Sequence, residues 1–209
     1  QGYWGNLSNI EVIPNAALFL GSGYSDVCAH RVIAVGRLDY QKGFDRLIKA
    51  WELVQQKEKF QDWKLDIFGQ GEWRDMLQGM INERHLEMSI CLNAPTSHIG
   101  AEYARSAMLV MSSNYEGFPM VMIEAMACGL PVVSYDFKCG PKDIIQHGVN
   151  GMLVHEGDIR GLAEAMEKVM ENETLRKGLS VQARKIVETY AEERVMNQWI
   201  VMFNSLLDK

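Results

Sequence analysis

Short apolar runs alternate along this chain with segments whose apolar residues recur every three or four positions. The runs are RVIAV at 31–35, KLDIF at 64–68, SICL at 89–92, MLVMS at 108–112, PVVS at 131–134 and GMLV at 151–154. Helical patterns separate them: from Gly43 onward with Phe44, Leu47, Ile48, Trp51 and Val54 on one stripe, then 71–84, 100–105, 119–128 and 141–147. Gly129 and Pro131 stop the fourth of these helices. Asp158 caps a further helix carrying Ile159, Leu162, Ala163, Met166, Val169 and Met170, and two more amphipathic helices follow. The last carries Val195, Met196, Trp199, Met202, Phe203 and Leu206. Runs that are apolar throughout need cover on both faces. Strand–helix alternation is the pattern of a parallel sheet. The expected fold is therefore α/β, a doubly wound parallel sheet with helices on both faces. Such sheets hold ligands at the carboxyl ends of their strands, where the strand order reverses. The loops after Val35, Phe68, Leu92, Ser112 and Ser134 are the ones to inspect.

A chain of 209 residues fits one large domain. Residues 1–15 read as a lead-in with a short strand at Ile10–Ile13, and 16–209 as the domain itself. A net charge of −6 gives no basic footprint for nucleic acid and no general attraction to anionic lipid. Any anion site must be local. The four cysteines (Cys28, Cys91, Cys128 and Cys139) form no CxxC pair and read as reduced thiols of a cytoplasmic protein. No apolar run reaches the length of a membrane span, and no signal peptide is visible. The chain begins at Gln1, so it reads as a piece of something longer.

The first loop, VGRLDYQKGFDRL, places Arg37 and Lys42 between Gly36 and Gly43. A strand end running into a helix start gathers free N–H groups and the positive end of a dipole. Two cations added there suit a phosphate, although two solvated surface cations would read the same way. Neither a Walker loop nor GxGxxG occurs; FGQGEW has Arg74 where the third glycine would stand. No HExxH, G-x-S-x-G or DxD occurs, and the histidines lack ligand spacing. The loop after the fifth strand, YDFKCGPKDII, is either a second ligand-facing helix start or an ordinary turn.

Between Gly117 and Tyr135 the only charge is Glu124. A lone acid on an apolar helix needs a partner. That partner is either an internal Arg or Lys, or a ligand with paired hydroxyls such as a ribose. Glu116 lies a little over two helical turns earlier, so both acids can face one crevice.

Taken together, GRL…KG at 36–43, the E-x7-E pair at 116 and 124, and EAMACGLPVV at 124–133 resemble the C-terminal, nucleotide-sugar-binding domain of GT-B glycosyltransferases of family 4. The resemblance covers nearly the whole chain. It implies the Rossmann-like C-terminal half of a GT-B fold and a retaining sugar transfer, from a UDP-sugar by family habit, to a glycan or lipid-linked acceptor in bacterial surface polysaccharide synthesis. It implies that Arg37 and Lys42 bind the donor diphosphate, with no metal or other cofactor. Glu124 would hold the ribose hydroxyls, and Glu116 would be the catalytic residue, facing the donor sugar. The backbone of Gly117, Phe118, Pro119, Met120 and Val121 would contact sugar and phosphate. The base would rest near Gly69, Gly71, Asn93, Ala94, Pro95 and Thr96. This chain has EGFP where the family often has EGFG, Asp143 where many members carry Glu, and Asn93 where glycine is common.

The resemblance also implies that the N-terminal, acceptor-binding domain is missing here, so the isolated chain would be inactive alone. Membrane association would be peripheral, at the inner face, and only through the absent part. A GT-B sugar-nucleotide epimerase or a nucleotide-binding module without catalysis are the alternatives. A dehydrogenase is disfavoured by the missing glycine fingerprint.

Overall fold

The computed structural model describes residues 10–16, 23–138 and 140–207. Six strands form one parallel sheet: β1 (Arg31–Val35), β2 (Lys64–Phe68), β3 (Ile90–Asn93), β4 (Met108–Met111), β5 (Val132–Asp136) and β6 (Gly151–His155), in the order β3-β2-β1-β4-β5-β6. The chain steps outward from β1 to β3 and crosses back to β4. The strand order therefore reverses between β1 and β4, where Val32 pairs with Met108 and Ile33 with Leu109. All four residues of β4 are buried, as a central strand covered on both faces requires.

Right-handed crossovers place successive helices on opposite faces once the order reverses. Helix α1 (Phe44–Gln55) packs against α2 (Arg74–Glu83) and α6 (Ile159–Glu171). On the other face α4 (Met120–Ala127) meets α3 (Ile99–Ala104), α7 (Glu173–Ala183) and α8 (Ile186–Tyr190). The stripe Phe44, Leu47, Ile48, Trp51 and Val54 is wholly core-facing. Helix α5 is a single turn, Pro141–Ile144. Asp158 does cap α6, its carboxylate accepting from the Gly161 N–H at 2.8 Å.

Several boundaries differ from expectation. Residues 10–13 form no strand; they pair with none of the six strands, and their β-branched side chains alone do not suffice. Gly71 precedes α2 because the segment 69–73 is held against the first loop, with Leu38 N–H on Gln70 O and Trp73 N–H on Leu38 O, both 2.9 Å. Three helices, not two, follow α6, since the short α8 separates α7 from α9 (Glu192–Leu207). The apolar stripe of α9 faces outward except at Val195, with Met196, Phe203 and Leu206 about half exposed. Cys28, Cys91 and Cys128 are free thiols; Cys139 lies outside the described residues, as does most of the 1–15 lead-in. Among the described residues no helix is long and apolar enough to cross a membrane.

Candidate functional site

The loop after β1 is a tight, self-bonded turn. Asp39 caps a 3-10 turn at Tyr40–Lys42 and accepts from the Lys42 N–H at 3.3 Å. Gly43 then takes φ 59°, a left-handed conformation that frees α1 to start in a new direction. A side chain there would also collide with the Ser112 carbonyl at the end of β4. Gly36 serves the loop differently. The Lys42 stem passes directly over it, and a Cβ at Gly36 would lie 2.7 Å from the Lys42 Cε.

Lys42 is thereby aimed at the loop after β4. Its Nζ donates to Glu116 Oε1 at 2.6 Å, with the two side chains only 14% and 7% exposed. Ser113 Oγ donates to the same oxygen at 2.8 Å, and Gln41 Nε2 donates to Oε2 at 3.1 Å. The Gln41 Oε1 accepts from Arg37 at 2.8 Å. A carboxylate on one side and a guanidinium on the other fix which way that amide points. Arg37 itself is 70% exposed, and its Nε lies 3.2 Å from Asp39 Oδ2. Glu116 thus accepts three hydrogen bonds as a held anion, and Gln41 joins it to Arg37.

Beside this network a cleft of about 370 Å³ opens at the carboxyl ends of β1, β2 and β3. That volume lies within the ordinary range of small-molecule sites, about 300–1,000 Å³. Gly36 and Arg37 form one wall, Phe68, Gly69 and Gln70 another, and Pro95 and Thr96 a third; Ile99, Tyr103 and Glu124 complete it. The walls are mostly apolar, with few polar groups converging. Glu124 is half-buried, and among the described residues no cation or hydrogen-bond donor reaches its carboxylate. Burial alone raises its pKa above the usual glutamate value. Of the two partners open to Glu124 from the sequence, the internal Arg or Lys is absent among the described residues. The Tyr103 hydroxyl is buried without a partner, its pKa driven well up by burial and then by the charges of Glu124 and Cys128. Burial, then Glu124, likewise raises Cys128.

The start of α4 departs from a simple helix N-terminus. Pro119 adopts φ −82° and ψ 72°, and the Met120 N–H bonds Phe118 O at 2.9 Å, which makes 118–120 an inverse γ-turn. Pro119 therefore sits just outside the helix, and the Met120 donor is already used. The N–H groups of Gly117, Phe118 and Val121 keep no hydrogen bond among the described residues.

The sequence-derived residues fall into two adjoining groups. Arg37, Glu124, Gly69, Pro95 and Thr96 line the cleft. Lys42 and Glu116 lie beside it, linked to its rim through Gln41. Asn93, Ala94 and Gly71 do not line it. Asn93 turns its amide onto Asp66 at 2.9 Å, and Gly71 lies so close to the Leu38 carbonyl that no Cβ would fit. Sequence reasoning missed Gln41, Ser113, Gln70 and Tyr103. Gln41 sits inside the loop already singled out, and Ser113 three residues before Glu116; Tyr103 carried no signal beyond a place on a helix. No cluster of three or more His, Cys, Asp or Glu suited to a metal occurs among the described residues.

Comparison with known proteins follows from this geometry. Residues 29–186 match the family model for glycosyl transferases group 1. The chain is 34% identical over 206 residues to the amylovoran biosynthesis glycosyltransferase AmsD of Erwinia amylovora, covering 95% of this chain and 57% of that protein. It superposes on Staphylococcus aureus TarM, crystallised with Fondaparinux, alpha-GlcNAc-glycerol and UDP, at a TM-score of 0.81 and 30% identity, covering 94% of this chain and 38% of TarM. The C-terminal domain of the Francisella tularensis group 1 protein LpcC, crystallised by itself, shares the fold at a TM-score of 0.72 and 21% identity; the match covers 84% of this chain and all of that domain. The chain thus spans well under two thirds of the length of AmsD and TarM. It belongs to the glycosyl transferases group 1 family, on the Rossmann-like architecture of GT-B glycosyltransferases.

Proposed function

We propose that this chain is the donor-binding domain of a retaining glycosyltransferase of family 4, taking a UDP-sugar. One observation carries the reading: Glu124 is a half-buried carboxylate without a partner among the described residues, in a cleft at the β1/β4 reversal, beside Arg37. A ribose offers the two vicinal hydroxyls that such an acceptor lacks. Arg37 and Lys42 take the diphosphate and stabilise the departing nucleotide without a metal. Glu116 faces the donor sugar. The UDP bound to TarM supports the choice of nucleotide. The acceptor is a glycan or lipid-linked sugar of bacterial surface polysaccharide synthesis, a reading supported by the amylovoran relative. It is held by an N-terminal domain outside this chain, so the isolated chain transfers little or no sugar. The full protein works in the cytoplasm, at most peripherally at the membrane.

Calorimetric titration with UDP, GDP and ADP in the presence of chelator tests this. UDP binding that is lost in Arg37→Ala and in Glu124→Ala is the expected result. Each lost charged contact should cost about 1.5–3 kcal/mol. UDP binding that is unchanged in both variants would place the nucleotide elsewhere.

A further inference from the structure

We infer that Tyr103 is a positioning residue for Glu124: in the nucleotide-bound protein its hydroxyl donates to the Glu124 carboxylate, which then meets both ribose hydroxyls as a fixed anion. This rests on the donor-site reading above and names the group that makes its ribose contact selective.

Two groups of complementary chemistry are orphaned in one cleft. Tyr103 is fully buried, and its hydroxyl has no hydrogen-bond partner. Glu124 is an acceptor with no donor among the described residues. Six buried side-chain polar atoms make no hydrogen bond among the described residues. Only the Tyr103 hydroxyl belongs to a residue lining this cleft. Buried polar groups are nearly always satisfied, so each exception calls for a reason. Helix α3, which carries Tyr103, packs directly on α4, which carries Glu124. Tyr103 and Glu124 line the same cleft, and burial, then the Glu124 charge, pushes the phenol well up.

The two are not hydrogen-bonded in the ligand-free protein, where Glu124 faces a cleft open to water. A nucleotide expels that water. An ionised carboxylate has about four acceptor positions. Two ribose hydroxyls fill two of them and leave the buried side for Tyr103. Without that third donor the carboxylate would be desolvated by the ligand that needs it charged.

The experiment uses the purified 209-residue chain, with UDP and 2′,3′-dideoxy-UDP as probes. Wild type should prefer UDP. Tyr103→Phe should weaken UDP binding about tenfold while the dideoxy affinity stays within about twofold. The UDP-to-dideoxy ratio should therefore collapse, as it does in Glu124→Ala. The melting temperature of Tyr103→Phe should equal or exceed that of wild type, because an unpaired buried hydroxyl has been removed. A wild-type ratio in Tyr103→Phe overturns the assignment. So does an equal loss for both nucleotides, which would mean a packing role. A clearly lowered melting temperature, or failure to fold, overturns it too, since the hydroxyl would then be paired already. If wild type binds neither nucleotide, the donor-site reading itself falls and this one with it.

Discussion

The Lys42–Glu116 pair should behave as a buried ion pair, and its energetics can be worked from the contacts. Lys42→Met keeps most of the stem over Gly36 but leaves Glu116, 7% exposed, with only Gln41 and Ser113 as donors. Breaking a buried pair by removing one partner costs about 3–5 kcal/mol. Two surviving neutral donors place this case at the low end, about 3 kcal/mol. For a chain of this size that lowers Tm by about 6–12 °C. Glu116→Gln strands the ammonium but leaves it an amide oxygen, so about 2 kcal/mol is expected. The double variant buries no lone charge and should cost no more than the worse single, about 3 kcal/mol. The coupling energy is then about 2 kcal/mol, within the range for residues in contact. Urea unfolding followed by the fluorescence of the five tryptophans measures all four corners of this cycle. Repeating it at about 1 M salt should change the coupling little, because buried pairs are poorly screened. Additive single effects, or a Lys42→Met cost below about 1 kcal/mol, would refute the reasoning and place the pair among weak surface contacts.

Three other outcomes are expected. Glu124→Gln should melt above wild type at neutral pH while losing nucleotide binding. Burial raises the Glu124 pKa above 4.5, so the contribution of Glu124 to folding is present below the unfolded value and lost as pH rises through the folded one. The advantage of the glutamine variant should therefore grow with pH across that window and vanish in acid, which melting curves at stepped pH will show. Gly71→Ala should destabilise by about 1–3 kcal/mol, because its Cβ meets the Leu38 backbone rather than a movable side chain. Urea midpoints check this. Asp158→Ala should cost about 1 kcal/mol through loss of the α6 cap on Gly161, lowering Tm by about 2–4 °C.

The fold was legible because its signals are local and repeated. MLVM and PVVS are buried on both faces, which a covered parallel strand tolerates. Glu124 was legible as a contradiction, an acid in an apolar helix, and no cation meets it among the described residues. What stayed hidden depends on contacts between distant parts of the chain. Asn93 stood among the residues expected near the base, and that its amide is drawn onto Asp66, 27 residues away, could not be read. That Gly71 is where the second loop abuts the first could not be read either. Gln41 could be seen in the loop. Its bridge from Arg37 to Glu116 needs β1 and β4 to lie side by side, 75 residues apart in sequence. Tyr103 is apolar by helix position, and only the surroundings of its hydroxyl distinguish it from core.

On the proposed reading, those bridges bear on how an anion site works in a chain of net charge −6. Each cation is already matched in the free protein, Arg37 by Asp39 and Lys42 by Glu116. The ligand-free loop is therefore near neutral, and a diphosphate must compete with acids already in place. The two matches differ in strength. Arg37 is 70% exposed, and its contact with Asp39 is the weak, solvent-screened kind. Lys42 is enclosed, and Glu116 has two further donors to hold it in position. On the proposed reading Arg37 is the cation that moves to the phosphates, while Lys42 is shared in place between Glu116 and the donor. Drawing Arg37 away also releases the Gln41 carbonyl, so the guanidinium that meets the diphosphate is hydrogen-bonded, in the free state, to the residue that orients Glu116. Diphosphate capture and the setting of Glu116 are then linked through one amide side chain. Gln41→Ala should accordingly alter turnover of the full-length enzyme more than its affinity for the nucleotide, and steady-state kinetics of that variant, with kcat and KM separated, decides it.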